Sequence, residues 1–330
     1  MVALIDGYDV ALFDLDGVVY LGPDPVSGVP EALAQLDRVG TRLMYVTNNA
    51  ARPAATVVEQ LNRLGIDAGL DQVLTSAQVA ASALAKELPT GAKVLVCGSD
   101  SLASLLSDVG FEIVDSAQAQ PDAVIQGYYP TLNWSMFEEA ALAVQGGAAW
   151  YATNSDATRP TDRGLVPGAG AAIAVLATVL RRQPTIFGKP YRPMLAEAIA
   201  RTRAQRPIFV GDRLDTDIEG AVNAGIDSLL VFSGAHGKKD LVTATAMAHP
   251  SYIGSDVTAL LRAPRIATLS PGQAVCGAQK VRVTAEGASL VTQPDGVEEQ
   301  LDALWALAQL AWQDPELDVA AVLERLDLIG

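Results

Sequence analysis

The sequence predicts an α/β protein built on a doubly wound parallel sheet. Three observations carry that prediction. Short apolar runs alternate with amphipathic stretches closed by glycine. The first run, 10–13, is apolar throughout, as a strand covered on both faces is. The polar residues with chemical character fall just after those runs, at the carboxyl edge where open α/β sheets bind ligands.

The first run, 10–13, ends in Asp14-Leu15-Asp16-Gly17. The stretch 30–39 follows as a helix, with Leu33 and Leu36 on its apolar face and Gly40 after its end. Residues 42–46 form a second strand ending at Thr47-Asn48-Asn49, and 56–64 a second helix closed by Gly65. The pattern recurs with a strand at 93–97, a helix at 101–109 closed by Gly110, and strands at 123–125 and 148–152. It resumes with 207–210, ending at Gly211-Asp212, and with 228–232. The apolar run 171–180, stopped by Arg181-Arg182, is about half of what a membrane span needs and reads as a buried helix. Pro264 marks a boundary. Beyond it, 280–284 alternates like a half-buried strand, and Leu301, Leu304, Trp305, Ala308 and Trp312 fall at helical spacing. Asp314-Pro315 has the form of an N-cap and first helical position, which starts a last helix. This tail reads as a small separate α+β appendage without chemistry of its own.

Composition narrows the function classes. The chain has 330 residues, half of them hydrophobic and 18% charged, which suits two or three packed domains rather than disorder. A formal net charge of −15 without any basic run argues against nucleic acid and anionic membrane surfaces as partners. Cys97 and Cys276 form neither a disulfide framework nor a zinc cluster, and Asp6 interrupts the opening residues before any signal-like run. A reduced, cytoplasmic setting is expected.

Four signals carry chemistry. Asp14 and Asp16 lie at the end of a buried strand, where two carboxylates are costly unless a divalent cation neutralises them. A calcium loop of the EF-hand kind fails because Val18 and Val19 occupy positions that should hold ligands. Thr47-Asn48 offers a hydroxyl and backbone amides at a strand-to-helix turn, which suits a phosphoryl oxygen. Lys189 lies in Gly188-Lys189-Pro190. Gly211-Asp212-Arg213-Leu214-Asp215-Thr216-Asp217 places three acids after another apolar strand, as a metal site would. Singly, each has an ordinary reading as a turn, a cap or a solvated side chain.

In order and in strand context, the four together resemble the haloacid dehalogenase superfamily of phosphohydrolases. The resemblance implies a Rossmann-like core, Mg²⁺ as cofactor and a phospho-aspartate intermediate. It makes Asp14 the nucleophile and Asp16 the acid that protonates the leaving oxygen and then activates water. It gives Thr47 the transferring phosphoryl group and Lys189 the charges of nucleophile and phosphate. Magnesium falls to Asp14, the backbone carbonyl of Asp16, and Asp212, with Asp217 as a support behind them or a water-mediated ligand. An aspartate at position 16 favours hydrolysis over a lasting phosphoenzyme. A phosphotransferase or mutase would use the same Asp14, a dehalogenase would lack Asp16, and a non-catalytic relative should have lost one of these residues.

The gap from Thr47 to Lys189 leaves room for an inserted α/β domain, which the resemblance identifies as a C2-type cap. The expected division is a core at 1–76 and 186–262, the cap at 77–185 and the appendage at 263–330. Asn154-Ser155-Asp156, Pro160 and Gly164-Leu165-Val166-Pro167-Gly168-Ala169-Gly170 resemble the cap loop of the 4-nitrophenylphosphatase, phosphoglycolate, glycerol 3-phosphate and pyridoxal phosphate phosphatases. Gly127-Tyr128-Tyr129 departs from the Gly-Phe-Asp common there. Asn48, Asn154, Asp156 and Arg159 join Thr47 and Lys189 as the expected substrate-binding residues. Asp156 suits either a substrate hydroxyl or an Asx turn within its own loop. Arg159 and Arg163 suit either an anionic substrate tail or solvent. The expected substrate is a small phosphorylated metabolite, glycerol 3-phosphate first, then phosphoglycolate and pyridoxal phosphate. The Trp-bearing tail helix suits burial against the body or in a homodimer. His236 and His249 receive no role.

Overall fold

A computed structural model describes residues 2–161 and 163–330. Their contacts divide the chain into two compact units, 1–45 with 201–330, and 46–200.

In the first unit, parallel strands stand in the order Tyr252–Gly254, Asp227–Val231, Pro207–Gly211, Val10–Phe13, Arg42–Thr47. The earliest strand is therefore central, and the later ones spread outward on either side of it. Val10, Ala11, Leu12 and Phe13 are all fully buried. Burying each of the larger two contributes about 1.5–3 kcal/mol, which is why this run reads as unbroken hydrophobicity. The reversal of strand order falls between Val10–Phe13 and Pro207–Gly211, and a doubly wound sheet opens its ligand crevice at such a point. Phe13 pairs with Val210, and the Asp14 amide donates to the Val210 carbonyl at 2.9 Å. That register sets Asp14 and Asp212 side by side at the carboxyl edge. At the opposite edge, Asp9 accepts from the amides of Gln205 and Arg206, each at 2.9 Å, and from Arg42 at 3.0 Å.

The tail belongs to this unit. Its strands Ala267–Ser270, Gln273–Cys276, Gln279–Thr284 and Gly287–Leu290 form an antiparallel sheet, packed by the helix Val297–Ala311. Leu301, Leu304 and Leu307 of that helix share one hydrophobic cluster with Leu214, Ile218, Leu230 and Ile253 of the parallel-sheet region. Trp312 stacks on His249, with centroids 3.9 Å apart, and its indole donates to the Leu241 carbonyl at 2.9 Å. The Trp-bearing helix is thus covered within this unit. The helix expected from Asp314-Pro315 does not form there. Asp314 closes a single turn on Leu317, and the last helix is Ala320–Glu324. The cause is a tie between the Ala288 amide and the Asp318 carbonyl at 2.7 Å, which holds the chain out of helical geometry until Asp318 has passed.

In the second unit, the strands Thr185–Ile186, Ala149–Ala152, Ala123–Gln126, Lys93–Cys97 and Glu112–Val114 form a wholly parallel sheet in that order. The helices Ser76–Glu87 and Asp100–Asp108 are capped by Thr75 and Ser99, whose hydroxyls accept from the amides of Gln78 and Leu102. The apolar run near 171–180 lies in the helix Ala169–Leu180, but only Ala169, Ile173 and Leu176 are buried, and Val179 is 58% exposed. The expectation of a buried helix is corrected: one face packs and the other is open. The motif stretch 152–170 contains a hairpin, Thr158–Thr161 against Gly164–Pro167.

Candidate active site

The first unit gathers three of the predicted metal residues. Asp14, Asp212 and Asp217 each present a carboxylate oxygen, and the three oxygens lie within 4.8 Å of one another. Asp14 is 9% exposed, Asp212 2% and Asp217 fully buried. Three carboxylates this close and this dry repel one another strongly, and a hard divalent cation with oxygen ligands is the group that relieves them.

The backbone around them is built to hold that geometry. After Asp14 the chain turns sharply: the amides of Val19 and Tyr20 return to the Leu15 carbonyl, and the Gly17 amide to the Tyr20 carbonyl. Gly17 has φ +91°, and a Cβ there would lie 2.3 Å from Asp212 Oδ2. Gly234 approaches from another loop, and its Cβ would lie 2.0 Å from the same oxygen. A Cβ on Gly211 would lie 2.2 Å from the Asp217 Cβ. Glycine at 17, 211 and 234 is what lets the backbone close around the two carboxylates. Asp212 Oδ2 accepts from the Ala235 amide at 2.7 Å. Asp217 Oδ2 accepts from the amides of Asp212 and Arg213 at 3.2 and 3.1 Å, so it braces the turn that carries Asp212. Asp217 lies in a π-helical turn, Leu214–Ile218, a widening common at functional sites. Arg213 makes a bidentate pair with Asp215 at 3.1 and 2.8 Å, which turns that third acid of the motif outward. Burial and the nearby Asp215 carboxylate push Glu219 above the usual carboxylate range. Asp16 is exposed and its carboxylate stands outside the cluster of three.

The second unit gathers the other predicted residues. Thr47 is buried, and its hydroxyl accepts from the Asn49 amide at 3.1 Å. Asn48 is a hub. Its amide nitrogen donates to Asp156 Oδ1 and to the Lys189 carbonyl, both at 3.0 Å, and its Oδ1 accepts from the Lys189 amide at 2.8 Å. Asp156 Oδ2 accepts from Asn154 at 2.9 Å. Lys189 is 1% exposed, and its ammonium donates to the Val46 carbonyl at 3.2 Å. A buried ammonium is costly unless acceptors or anions surround it. The backbone is again tight: a Cβ on Gly188 would lie 2.6 Å from Asn48 Oδ1, and one on Gly168 2.2 Å from the Asp156 carbonyl. The Asp156 carboxylate thus joins the side-chain amides of Asn48 and Asn154. Arg159 is exposed and lies over the Tyr128 ring, 4.9 Å from its centroid. Arg163 is exposed as well.

Sequence reasoning missed the loop 232–236. Ser233 donates to the Gly17 carbonyl at 2.7 Å, and His236 Nδ1 accepts from the Leu214 amide at 2.8 Å. His236 therefore has a structural part, as the tautomer protonated on Nε2. The signal was present: Ser233-Gly234 follows the strand 228–232 at the same sheet edge as the two acid motifs.

Sheet order, carboxyl-edge acids and glycine-lined turns define a hydrolase of the haloacid dehalogenase type, and the chain belongs to the haloacid dehalogenase-like hydrolase family. The family model matches residues 11–112, and a second model of haloacid dehalogenase-like hydrolases matches 186–260. The chain is 39% identical to a D-glycerol 3-phosphate phosphatase of Mycobacterium tuberculosis over 97% of its own length and 90% of that protein. It also superposes on a crystal structure of a glycerol phosphate phosphatase from that organism in complex with magnesium, with a TM-score of 0.88, 37% identity and 99% of each chain covered. A p-nitrophenyl phosphatase from Archaeoglobus fulgidus gives a TM-score of 0.71 at 26% identity, covering 77% of this chain and 98% of that one. Among the described residues, no helix is long and apolar enough to cross a membrane.

Proposed function

We propose that this protein is a magnesium-dependent phosphatase of small phosphate monoesters, with glycerol 3-phosphate as its substrate. The observation that carries the chemistry is the buried cluster of Asp14, Asp212 and Asp217 at the strand-order reversal. The substrate rests on likeness to a glycerol 3-phosphate phosphatase over almost the whole chain, tail included.

The donors present fit magnesium: all are oxygens, they converge, and glycines make room for them. Asp14, Asp212 and the backbone carbonyl of Asp16 would hold the ion, with Asp217 bracing Asp212. When bound, the ion would neutralise charge on nucleophile and phosphate. A carboxylate oxygen of Asp14 attacks phosphorus, and the phosphorus–oxygen bond to the glycerol breaks. Asp16, the exposed acid beyond the turn, gives its proton to the departing oxygen. Water then attacks the phospho-aspartate while Asp16 takes its proton, and phosphate leaves with Asp14 regenerated. Thr47 and Lys189 bind the phosphoryl oxygens, and Lys189 supplies a fixed positive charge. Asn48, Asn154 and Asp156 hold the segment that presents Lys189. Arg159, steadied on Tyr128, contacts the hydroxylated part of the substrate. In this reading 77–185 is the cap, assigned the selection of the leaving group, and 1–76 with 186–262 is the core, followed by the tail 263–330. The proposed setting is cytoplasmic.

The test is phosphate release from glycerol 3-phosphate, phosphoglycolate, pyridoxal phosphate and 4-nitrophenyl phosphate, with and without magnesium. Release should need magnesium, favour glycerol 3-phosphate and vanish in Asp14→Asn. Undiminished release by Asp14→Asn would refute the mechanism, and preference for another ester would refute the substrate.

A further inference from the structure

The loop 232–238 connects the acid cluster to the last residues of the sequence. On one side it holds the cluster. Ser233 donates to the Gly17 carbonyl, the Ala235 amide to Asp212 Oδ2, and the His236 amide to the Asp212 carbonyl, at 2.7, 2.7 and 3.2 Å. On the other side the tail grips it. The Lys238 amide donates to the Gly330 carbonyl at 2.9 Å, and the Lys238 ammonium to the carbonyls of Ile329, at 2.9 Å, and Leu326. A Cβ on Gly237 would lie 2.6 Å from the Gly330 carbonyl oxygen, so loop and tail are in close contact there. Only His236 and Gly237 separate the amide that touches the Asp212 carboxylate from the side chain that holds the tail.

A second link runs through the shared hydrophobic cluster. Leu214 and Ile218 frame Asp217 in the π-helical turn, and both belong to the cluster that includes Leu323, Leu326 and Ile329. The tail thus grips the loop that bonds Asp212 and shares one hydrophobic cluster with the turn that carries Asp217. Other anchors of the tail lie elsewhere. Trp312 donates to the Leu241 carbonyl, Arg265 donates to the Ile253 carbonyl, and Arg262 pairs with Glu298. Losing the Lys238 ammonium leaves those anchors in place.

We propose that Lys238 is a positioning residue for the cation site, and that its charge-assisted bonds to the tail carbonyls set the affinity of the site built on Asp14 and Asp212 for a divalent cation. The tail thereby acquires a role in the chemistry. This rests on the metal reading above. Cation sites demand near-ideal ligand placement, and removing outer partners of ligands costs about 10–100-fold in affinity. Lys238 acts one loop further out, so the expected effect lies at the low end of that range.

The experiment is calorimetric titration of the chelator-treated full chain with Mg²⁺, for wild type, Lys238→Met, Lys238→Arg, Gly237→Ala and Asp212→Asn. Thermal melting of each variant checks folding. Lys238→Met should weaken Mg²⁺ about tenfold, Lys238→Arg should restore most of the loss, and Gly237→Ala should weaken binding by crowding Gly330. Should Lys238→Met fail to fold, Gly237→Ala carries the test. Wild-type affinity in the folded Lys238→Met variant, or in Gly237→Ala if that is the one that folds, would overturn the proposal. Equal Mg²⁺ binding by wild type and Asp212→Asn would instead overturn the metal reading on which it rests.

Discussion

Gly234→Ala isolates the placement of one carboxylate. The new Cβ would stand 2.0 Å from Asp212 Oδ2 and 2.4 Å from its Cγ. That is about 1.4 Å inside an ordinary carbon–oxygen contact, so either the carboxylate or the loop must move by roughly that amount. Gly234 does not have a positive φ, so alanine itself is conformationally allowed and the effect is steric. Asp212 is otherwise fixed by the Ala235 amide and by the turn that Asp217 braces. Misplacing a catalytic group by 1 Å costs on the order of 100-fold in rate, and magnesium tolerates little distortion of its ligands. The expected result is a drop of about 100-fold in kcat/KM for phosphate release, with a raised magnesium requirement. Gly296→Ala is the control, since nothing lies within 4 Å of a Cβ there. The assay is phosphate release across a magnesium series, with melting curves for both variants. Wild-type rates and magnesium dependence in a folded Gly234→Ala protein would refute the claim that Asp212 acts from this position.

Three further outcomes are expected. With magnesium saturating, so that carboxylate repulsion is neutralised, Asp217→Ala leaves the amides of Asp212 and Arg213 without their carboxylate acceptor and should destabilise the fold by about 2–4 kcal/mol in urea unfolding, well beyond a surface substitution. Asn48→Ala removes three hydrogen bonds joining Asp156 and the Lys189 backbone, so it should cost about 2–4 kcal/mol and lower phosphate release; unchanged unfolding would show that the hub is dispensable. At Asp9, burial works against ionisation, but the amides of Gln205 and Arg206 and the Arg42 guanidinium outweigh it and hold the carboxyl below its usual range. A depressed folded-state pKa gives stability that is fully present above the unfolded value of about 3.9 and is lost as pH falls through the folded value. Asp9→Asn should therefore flatten the acid limb of a melting-temperature profile while leaving the neutral region parallel to wild type.

The apolar run 10–13 and its trailing acids could be read from the sequence because a strand buried on both faces must be hydrophobic throughout. The acids that follow it stand out for the same reason. The tail was legible as strand and helix but not in its attachment: Leu214, Ile218, Leu304 and Ile329 belong to one hydrophobic cluster although they lie far apart in the chain, and no local pattern encodes that. Asp314-Pro315 shows the limit of local signals, since a correct cap motif yielded to the tie between Ala288 and Asp318.

By itself, then, the sequence determined the doubly wound class and the order of the motifs, since these follow from periodicity and residue type, while the phosphoryl-chemistry roles of its residues came from their family resemblance. Tertiary structure alone decided which carboxylates converge. It set Asp14, Asp212 and Asp217 within 4.8 Å, turned Asp215 outward onto Arg213 and left Asp16 exposed. It also decided that Asp156 holds Asn48 and Asn154, and that the loop 232–238 ties the acid site to the tail. The physical reason is that convergence depends on strand register and on glycines that admit close backbone approach, and both are fixed only when distant segments pack.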